Sequence, residues 1–580
     1  MHKIIENGRS EYFIVGSEFS DECERYAALE LQKYIYRSTD VLIPYFAQRC
    51  EKRGKEILIG NGTRDVFLSP SELEAIAEEG FIVKSVGEDI LIAGKTSRGT
   101  LYGVYTFLEK YFGFRAFTKD VEKIERIDEL ILRDIYISES PAFEYRDAYF
   151  RNAFDGEFAA KAKLNSTLTD SSRAKGGNLK FYNCHHSFND LVPPRKYLEE
   201  HPEYYSLVDG KRVPIQLCLS NPDVLEIATN QVFRWIEQNP HCRVFSVAQN
   251  DEVTDTPHYC TCPRCSAVDE YEGSPAGSVI RFVNKVCERV TEKYPDVLIH
   301  TFAFTYSRKV PKYVRPHKNV IVRLANIECE WGRPFMETAK LKPDSKTAEF
   351  LQSIKEWGTV TDRLYIWDYA VNFANYLQPF PVFYQLAENI RHYRDMGVKG
   401  VLQQGNFSYG AGASLDDLKI YIMSKLFWNP DTDVKVLIDD FTQGVYGSGG
   451  KYIKEYIDLI SNAVSDSTMT LYDFPDSEYI TDELVSKALE LFDMAEKAES
   501  DEVLKRIQRE RLAMDYVRIT RIADNDTRAK ETDEFALKVK EFKLTEIMER
   551  IDLSLSFEFM KREPFARNRD GQYTVYYLVK

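Results

Sequence analysis

No run of about 18 apolar residues occurs in this 580-residue chain, so no membrane-spanning helix is expected. The stretch from Met1 to Gly16 lacks the apolar core of a secretory leader, being interrupted by Lys3, Glu6 and Arg9, and a cytoplasmic location is the expectation. Basic charge is short: 76 Lys and Arg stand against 91 Asp and Glu, for a net charge of −15. That balance argues against nucleic acid or anionic lipid as the main partner. A Walker-type phosphate loop, a dinucleotide fingerprint after a strand and a nucleophile elbow are all missing. Histidine is scarce at 9 residues, and no His-rich ligand set for a catalytic metal forms, so a zinc hydrolase is the weakest reading. No low-complexity tract or short-period repeat stands out. With 44% hydrophobic and 29% charged residues, wholesale disorder is excluded.

What is present is aromatic surface and cysteine. The 36 Tyr and 35 Phe suit either large packed cores or a cleft lined with rings for stacking on sugars. The 10 cysteines, in a reducing compartment, are expected as thiols or metal ligands rather than a disulfide framework.

The length predicts roughly two to four domains, and three segments emerge. Residues 1–135 read as a small α+β unit, with strands at Tyr12–Val15, Glu56–Gly60, Phe81–Val86 and Asp89–Ala93. Helices there are predicted at Glu22–Tyr36 and Arg98–Phe112, the second ended by Gly113. Residues 136–430 alternate strand and helix. Strands are predicted at Phe143–Phe150, Leu164–Thr169, Gln216–Ser220, Arg243–Ala248, Val297–Phe304, Val320–Ile327, Leu364–Trp367 and Gly400–Gln403. This pattern predicts a TIM-type (β/α)₈ barrel. Residues 431–580 read as a helical C-terminal domain.

In such a barrel, reactive side chains belong at the C-terminal strand ends. The fourth predicted strand ends in Asn250, Asp251 and Glu252; the sixth leads to Glu328 and Trp331. The seventh ends Trp367-Asp368-Tyr369, and the eighth ends with Gln403, Gln404 and Asn406. Paired carboxylates serve proton transfer and cation stabilisation, while rings and amides hold a sugar. Asp251, Glu252, Glu328 and Asp368 are therefore candidate catalytic acids; the amides and rings, with His186 after the second strand, are candidate substrate contacts. The bland alternative is that acids at strand ends cap helices or stay solvated.

A second constellation is Cys260-Thr261-Cys262-Pro263-Arg264-Cys265. Thiolates this close can share one tetrahedral ion, with Cys218 as the best fourth ligand and His258 as the second choice. A structural zinc staple, free thiols and a disulfide are all compatible with the spacing; no cofactor is required for catalysis.

The run Arg98-Gly99-Thr100-Leu101-Tyr102-Gly103-Val104-Tyr105, followed by Phe112-Gly113-Phe114-Arg115, resembles the small domain preceding the barrel in family 67 α-glucuronidases and family 20 β-hexosaminidases. His201-Pro202-Glu203-Tyr204-Tyr205, Gln216-Leu217-Cys218-Leu219-Ser220-Asn221-Pro222, Gln249-Asn250-Asp251, the cysteine cluster and Trp428-Asn429-Pro430 resemble the uncharacterised-domain family 4838, which overlaps glycoside hydrolase family 163. The resemblance implies a barrel glycosidase acting on an oligosaccharide, with an N-acetylhexosamine as a candidate sugar. Family 20 enzymes carry an Asp-Glu pair after the fourth strand, and Asp251-Glu252 matches it in order. That match implies that Asp251 orients the substrate acetamide and Glu252 donates the proton. An α-glucuronidase-like two-carboxylate hydrolase and a non-catalytic carbohydrate-binding protein are the alternatives.

Overall fold

The computed structural model describes residues 1–47, 51–251, 258–408, 410 and 412–562. The N-terminal part is a six-stranded mixed sheet, in the order Tyr136–Glu139, Phe81–Val86, Asp89–Gly94, Lys55–Ile59, Tyr12–Gly16, Tyr45–Ala47. The hairpin between its second and third members turns at Gly87, where φ is +62°, a conformation that favours glycine. Helices Glu22–Thr39 and Ser97–Tyr111 lie against the sheet, starting on side-chain caps from Asp21 and Thr96.

The central part is a curled seven-stranded sheet, parallel throughout. Its strands are β1 (Tyr145–Tyr149), β2 (Phe181–Tyr182), β3 (Val244–Ser246), β4 (Leu298–Ala303), β5 (Val320–Ala325), β6 (Leu364–Tyr369) and β7 (Gly400–Gln404), ordered β1-β7-β6-β5-β4-β3-β2. Helices cover the convex side. Ala276–Lys293 is representative, burying Val279, Ile280, Val283, Val286, Cys287 and Val290 along one stripe. Cutting one such buried Ile to Ala costs roughly 2–5 kcal/mol.

Two predicted strands differ from the structure. Gln216–Ser220 is not a member of this sheet: Lys211–Leu217 pairs antiparallel with Tyr205–Val208 in a separate hairpin, and β2 takes the position expected for it. The predicted strand overlaps the hairpin arm only at Gln216 and Leu217, and a short strand pattern does not reveal its partner. Leu164–Thr169 forms no ladder. It links the edge strands through bonds that include side chains: Asn165 N donates to Arg146 O (3.2 Å), Arg146 N to Asn165 Oδ1 (2.8 Å), and Phe181 N to Thr167 Oγ1 (2.8 Å).

The N-terminal part is tied to this sheet by buried charge. Arg146 of β1 is wholly buried, donates to the carbonyls of Lys163 and Phe143, and pairs with Glu79. Arg98 also reaches Glu79, and bonds Tyr102 and the Leu164 carbonyl. These roles account for polar residues in the first strand and at the start of the Arg98–Tyr105 run. Beyond Asp416–Trp428, the described residues to 562 are mainly helical, from Val434–Tyr446 to Leu553–Lys561, and share the main apolar core. No described helix is long and apolar enough to cross a membrane.

Candidate active site

Strand alternation determines which side chains line the concave side. From β1 come Tyr145, Asp147 and Tyr149; from β4, His300 and Phe302; from β5, Arg323; from β6, Tyr365 and Trp367. The Arg323 guanidinium lies 5.0–5.9 Å from the ring centroids of Phe181, Tyr145, Trp367 and Tyr365. Tyr145 donates to Asp147 Oδ2 (2.5 Å), and burial raises the Asp147 carboxyl to about 6. Burial first, then Arg323, drives His300 well below the usual imidazole range, so this layer holds a neutral imidazole above a fixed cation.

Above this layer lies the end of the sheet where the strands finish. His185 and His186 follow β2. His185 Nε2 is 3.2 Å from the Tyr149 hydroxyl, its ring beside Trp367, and burial followed by Arg323 lowers it to about 4. His186 stacks on Phe302 at 4.9 Å, with Nδ1 2.6 Å from the Gln249 carbonyl oxygen and Nε2 3.5 Å from Asp251 Oδ1. Asp251 is open, its side chain 66% exposed. Its neighbour Asn250 is clamped: Gln216 Nε2 donates to Asn250 O (3.0 Å), Asn250 N to Gln216 Oε1 (3.1 Å), and Asn250 Nδ2 to Ile215 O (2.6 Å). The hairpin thus sets the backbone that presents Asp251. Trp367 Nε1 donates to Gln404 Oε1 (2.8 Å), fixing the ring in the floor.

Asp368, Trp331, Gln403 and Asn406 lie elsewhere. Asp368 alternates away from the concave side. It is fully buried, accepting from Asn326 Nδ2 (2.7 Å), Tyr393 OH (2.8 Å) and Trp331 Nε1 (3.3 Å), so Trp331 braces this carboxylate instead of facing solvent. Gln403 donates to the Tyr369 carbonyl and also faces the helices. Tyr369 keeps the inward parity of Tyr365 and Trp367, in register with Gln404, and packs edge-on against Trp331 and Phe373. Asn406 donates to Asp416 Oδ2 (3.0 Å). Glu328 stands at the rim, paired with buried Arg308 at 2.6 Å. Glu252 lies outside the described residues.

Glu549 is a site residue that sequence spacing did not reveal. The segment around it is stitched onto loops following β6 and β7, through Tyr376 N to Ile547 O (2.8 Å) and Thr545 N to Gly410 O (2.9 Å). Its carboxyl is only 17% exposed and interacts with the Tyr376 side chain; burial, reinforced by Glu546 and Asp251, raises its pKa despite Arg550. The two carboxyls sit in environments of opposite kind, Asp251 open and Glu549 enclosed.

The fold is similar to that of a solved glycoside hydrolase. A structure described as a family GH115 4-O-methyl-α-glucuronidase, BtGH115A, with specificity for decorated arabinogalactans, aligns over 93% of this chain and 77% of its own, with 11% identity and a TM-score of 0.56. CpGH84D aligns over 95% of each chain, with 12% identity and a TM-score of 0.45. No curated protein matches by sequence. Residues 12–107 match the glycosyl hydrolase family 67 N-terminus. Residues 117–458, more than half of the sequence, match the domain of unknown function DUF4838, and the chain belongs to that family.

Proposed function

We propose that the protein hydrolyses an O-glycosidic bond of an oligosaccharide at the mouth formed by Asp251, His186, Trp367, Gln404 and Glu549. The observation that carries this reading is an open carboxyl, Asp251, at the C-terminal end of a parallel sheet, with an enclosed one, Glu549, in a segment bonded to the loops that follow β6 and β7. Two carboxyls held in unlike environments divide into proton donor and anion. Glu549, its protonated form favoured by burial, gives its proton to the glycosidic oxygen as the C–O bond breaks. Trp367 supplies a stacking face and Gln404 an amide.

For the other half of the reaction, the proposed substrate is a 2-acetamido sugar. Asp251 accepts from the acetamide N–H, and the acetamide oxygen attacks the anomeric carbon, a substrate-assisted route with retention. A two-carboxylate route, with Asp251 activating water, is the second reading; the match of residues 12–107 to the family 67 N-terminus favours it. In this reading the central sheet is completed as a (β/α)₈ barrel, with 164–169 filling the gap between β1 and β2. Residues 1–135 and 431–580 flank that barrel as separate domains.

The test is a panel of aryl glycosides and oligosaccharides with and without 2-acetamido groups. Release of a reducing sugar, lost in Asp251→Asn and Glu549→Gln, supports hydrolysis. Retention at the anomeric carbon and inhibition by a thiazoline analogue select the substrate-assisted route. Binding of glycans without turnover of any activated glycoside would overturn the enzyme reading in favour of a binding protein.

A further inference from the structure

The sulfur atoms of Cys218, Cys260, Cys262 and Cys265 all lie within 4.8 Å of one another, and all four residues are buried. They come from two places. Cys218 follows the 205–217 hairpin, while the other three lead into the helix Pro263–Glu272, where Cys262 is the N-cap and Cys265 lies in the first turn. The spacing is wrong for a disulfide, which needs about 2.05 Å between sulfurs. Cys218 Sγ is 3.7 Å from Cys262 Sγ and 4.0 Å from Cys265 Sγ. A tetrahedral ion with zinc–sulfur bonds of about 2.3 Å requires edges of roughly 3.8 Å.

The surroundings favour thiolates over apolar thiols. This cluster is separate from the main core, and Leu207 is the one partly buried apolar side chain packed against it among the described residues. Polar groups meet the sulfurs instead. The Leu207 amide donates to Cys260 Sγ (3.3 Å), Arg212 Nη1 lies 3.8 Å from the same atom, and Ser220 Oγ is 3.2 Å from Cys265 Sγ. Amide and guanidinium donors aimed at sulfur are the outer partners that hold metal-bound thiolates in place.

We propose that these four cysteines bind one Zn²⁺ ion in a structural site. With four protein ligands the tetrahedron is complete, leaving no position for water or substrate, so the ion does not enter the chemistry. Its role is positional. It fastens the hairpin to the helix 263–272 two residues from Gln216, which brackets Asn250 through two backbone bonds and so places Asp251. The site is independent of which bond the protein cleaves.

The experiment uses the full chain purified without chelator. Elemental analysis should find about one zinc per chain, and four thiols should resist a thiol reagent until the metal is stripped. Cobalt replacing zinc should give the intense visible bands of a tetrahedral thiolate complex. Cys218→Ser and Cys262→Ser should each lose the metal, while Cys242→Ser keeps it. Hydrogen exchange in 205–217 should quicken on metal removal. Should the variants fail to fold, the wild-type cobalt spectrum decides. Zinc at background level with no cobalt uptake, iron in its place, or a disulfide among the four would overturn the assignment.

Discussion

The Gln249 carbonyl oxygen, 2.6 Å from His186 Nδ1, fixes which nitrogen of that ring carries a proton. A carbonyl only accepts, so Nδ1 is the donor, and Nε2, facing Asp251 at 3.5 Å, is protonated only when the ring is charged. Burial lowers the His186 pKa and Asp251 opposes that shift. Asp251→Asn should lower it further, read by NMR titration of the imidazole protons. An unchanged midpoint would show that the two groups do not communicate.

Glu549→Gln should keep the fold and cost ~10²–10⁴-fold in kcat on oligosaccharides, where the leaving oxygen needs a proton. On aryl glycosides with good leaving groups the loss should be small. Glu252→Gln is the companion variant. If it alone shows this dependence on leaving group, the proton comes from the residue after Asp251 and not from the C-terminal segment.

The Glu109 carboxylate lies 2.6 Å from Lys425 Nζ and 3.7 Å from Lys163 Nζ, joining the N-terminal part to the last helix of the central part. Burial pushes its pKa up, but Lys425 and then Lys163 outweigh burial and hold it at about 2. A lowered carboxylate pKa stabilises the fold above its unfolded value near 4.5, and that contribution is lost as pH falls through 2. Glu109→Gln should therefore cost about 3 kcal/mol at pH 7, falling to roughly half by pH 3, measured by urea denaturation.

Lys419 presents the opposite sign. It is wholly buried, its Nζ has no hydrogen-bond partner among the described residues, and burial lowers it to about 7 against the pull of Asp416 and Glu510. A lowered amine pKa penalises the fold while the native ammonium is charged, and wild-type stability rises with pH between 7 and the unfolded value near 10.5. Lys419→Met should gain more stability at pH 6 than at pH 9, by about 2–3 kcal/mol. A gain independent of pH would show that the lysine is solvated.

Most of the helices and the main strands were legible because their burial follows one period, as in Ala276–Lys293. The cysteine cluster was legible too, since three of its members are adjacent in sequence. The second and third predicted strands were not: β2 is two residues long, and Thr167 and Asn165 replace ladder bonds with side-chain bonds that no periodicity encodes. At the site, a strand's alternation decides which of two neighbours faces inward, so Trp367 lines the floor while Asp368 faces away. Inward Asp147 had a signal in the alternation of Tyr145, Asp147 and Tyr149. Glu549 had none, because its position follows from tertiary stitching far beyond the last strand.

That stitching gives the chain an order of assembly. Synthesis delivers N-terminal parts first. The sheet, the His186–Asp251 pair and the cysteine cluster all leave the ribosome well before Glu549 does. A nascent chain thus carries Asp251 well before Glu549, so the proposed activity should begin only when the final helices dock. Arrested chains ending between residues 430 and 540 would lack Glu549 and should show none of the proposed activity.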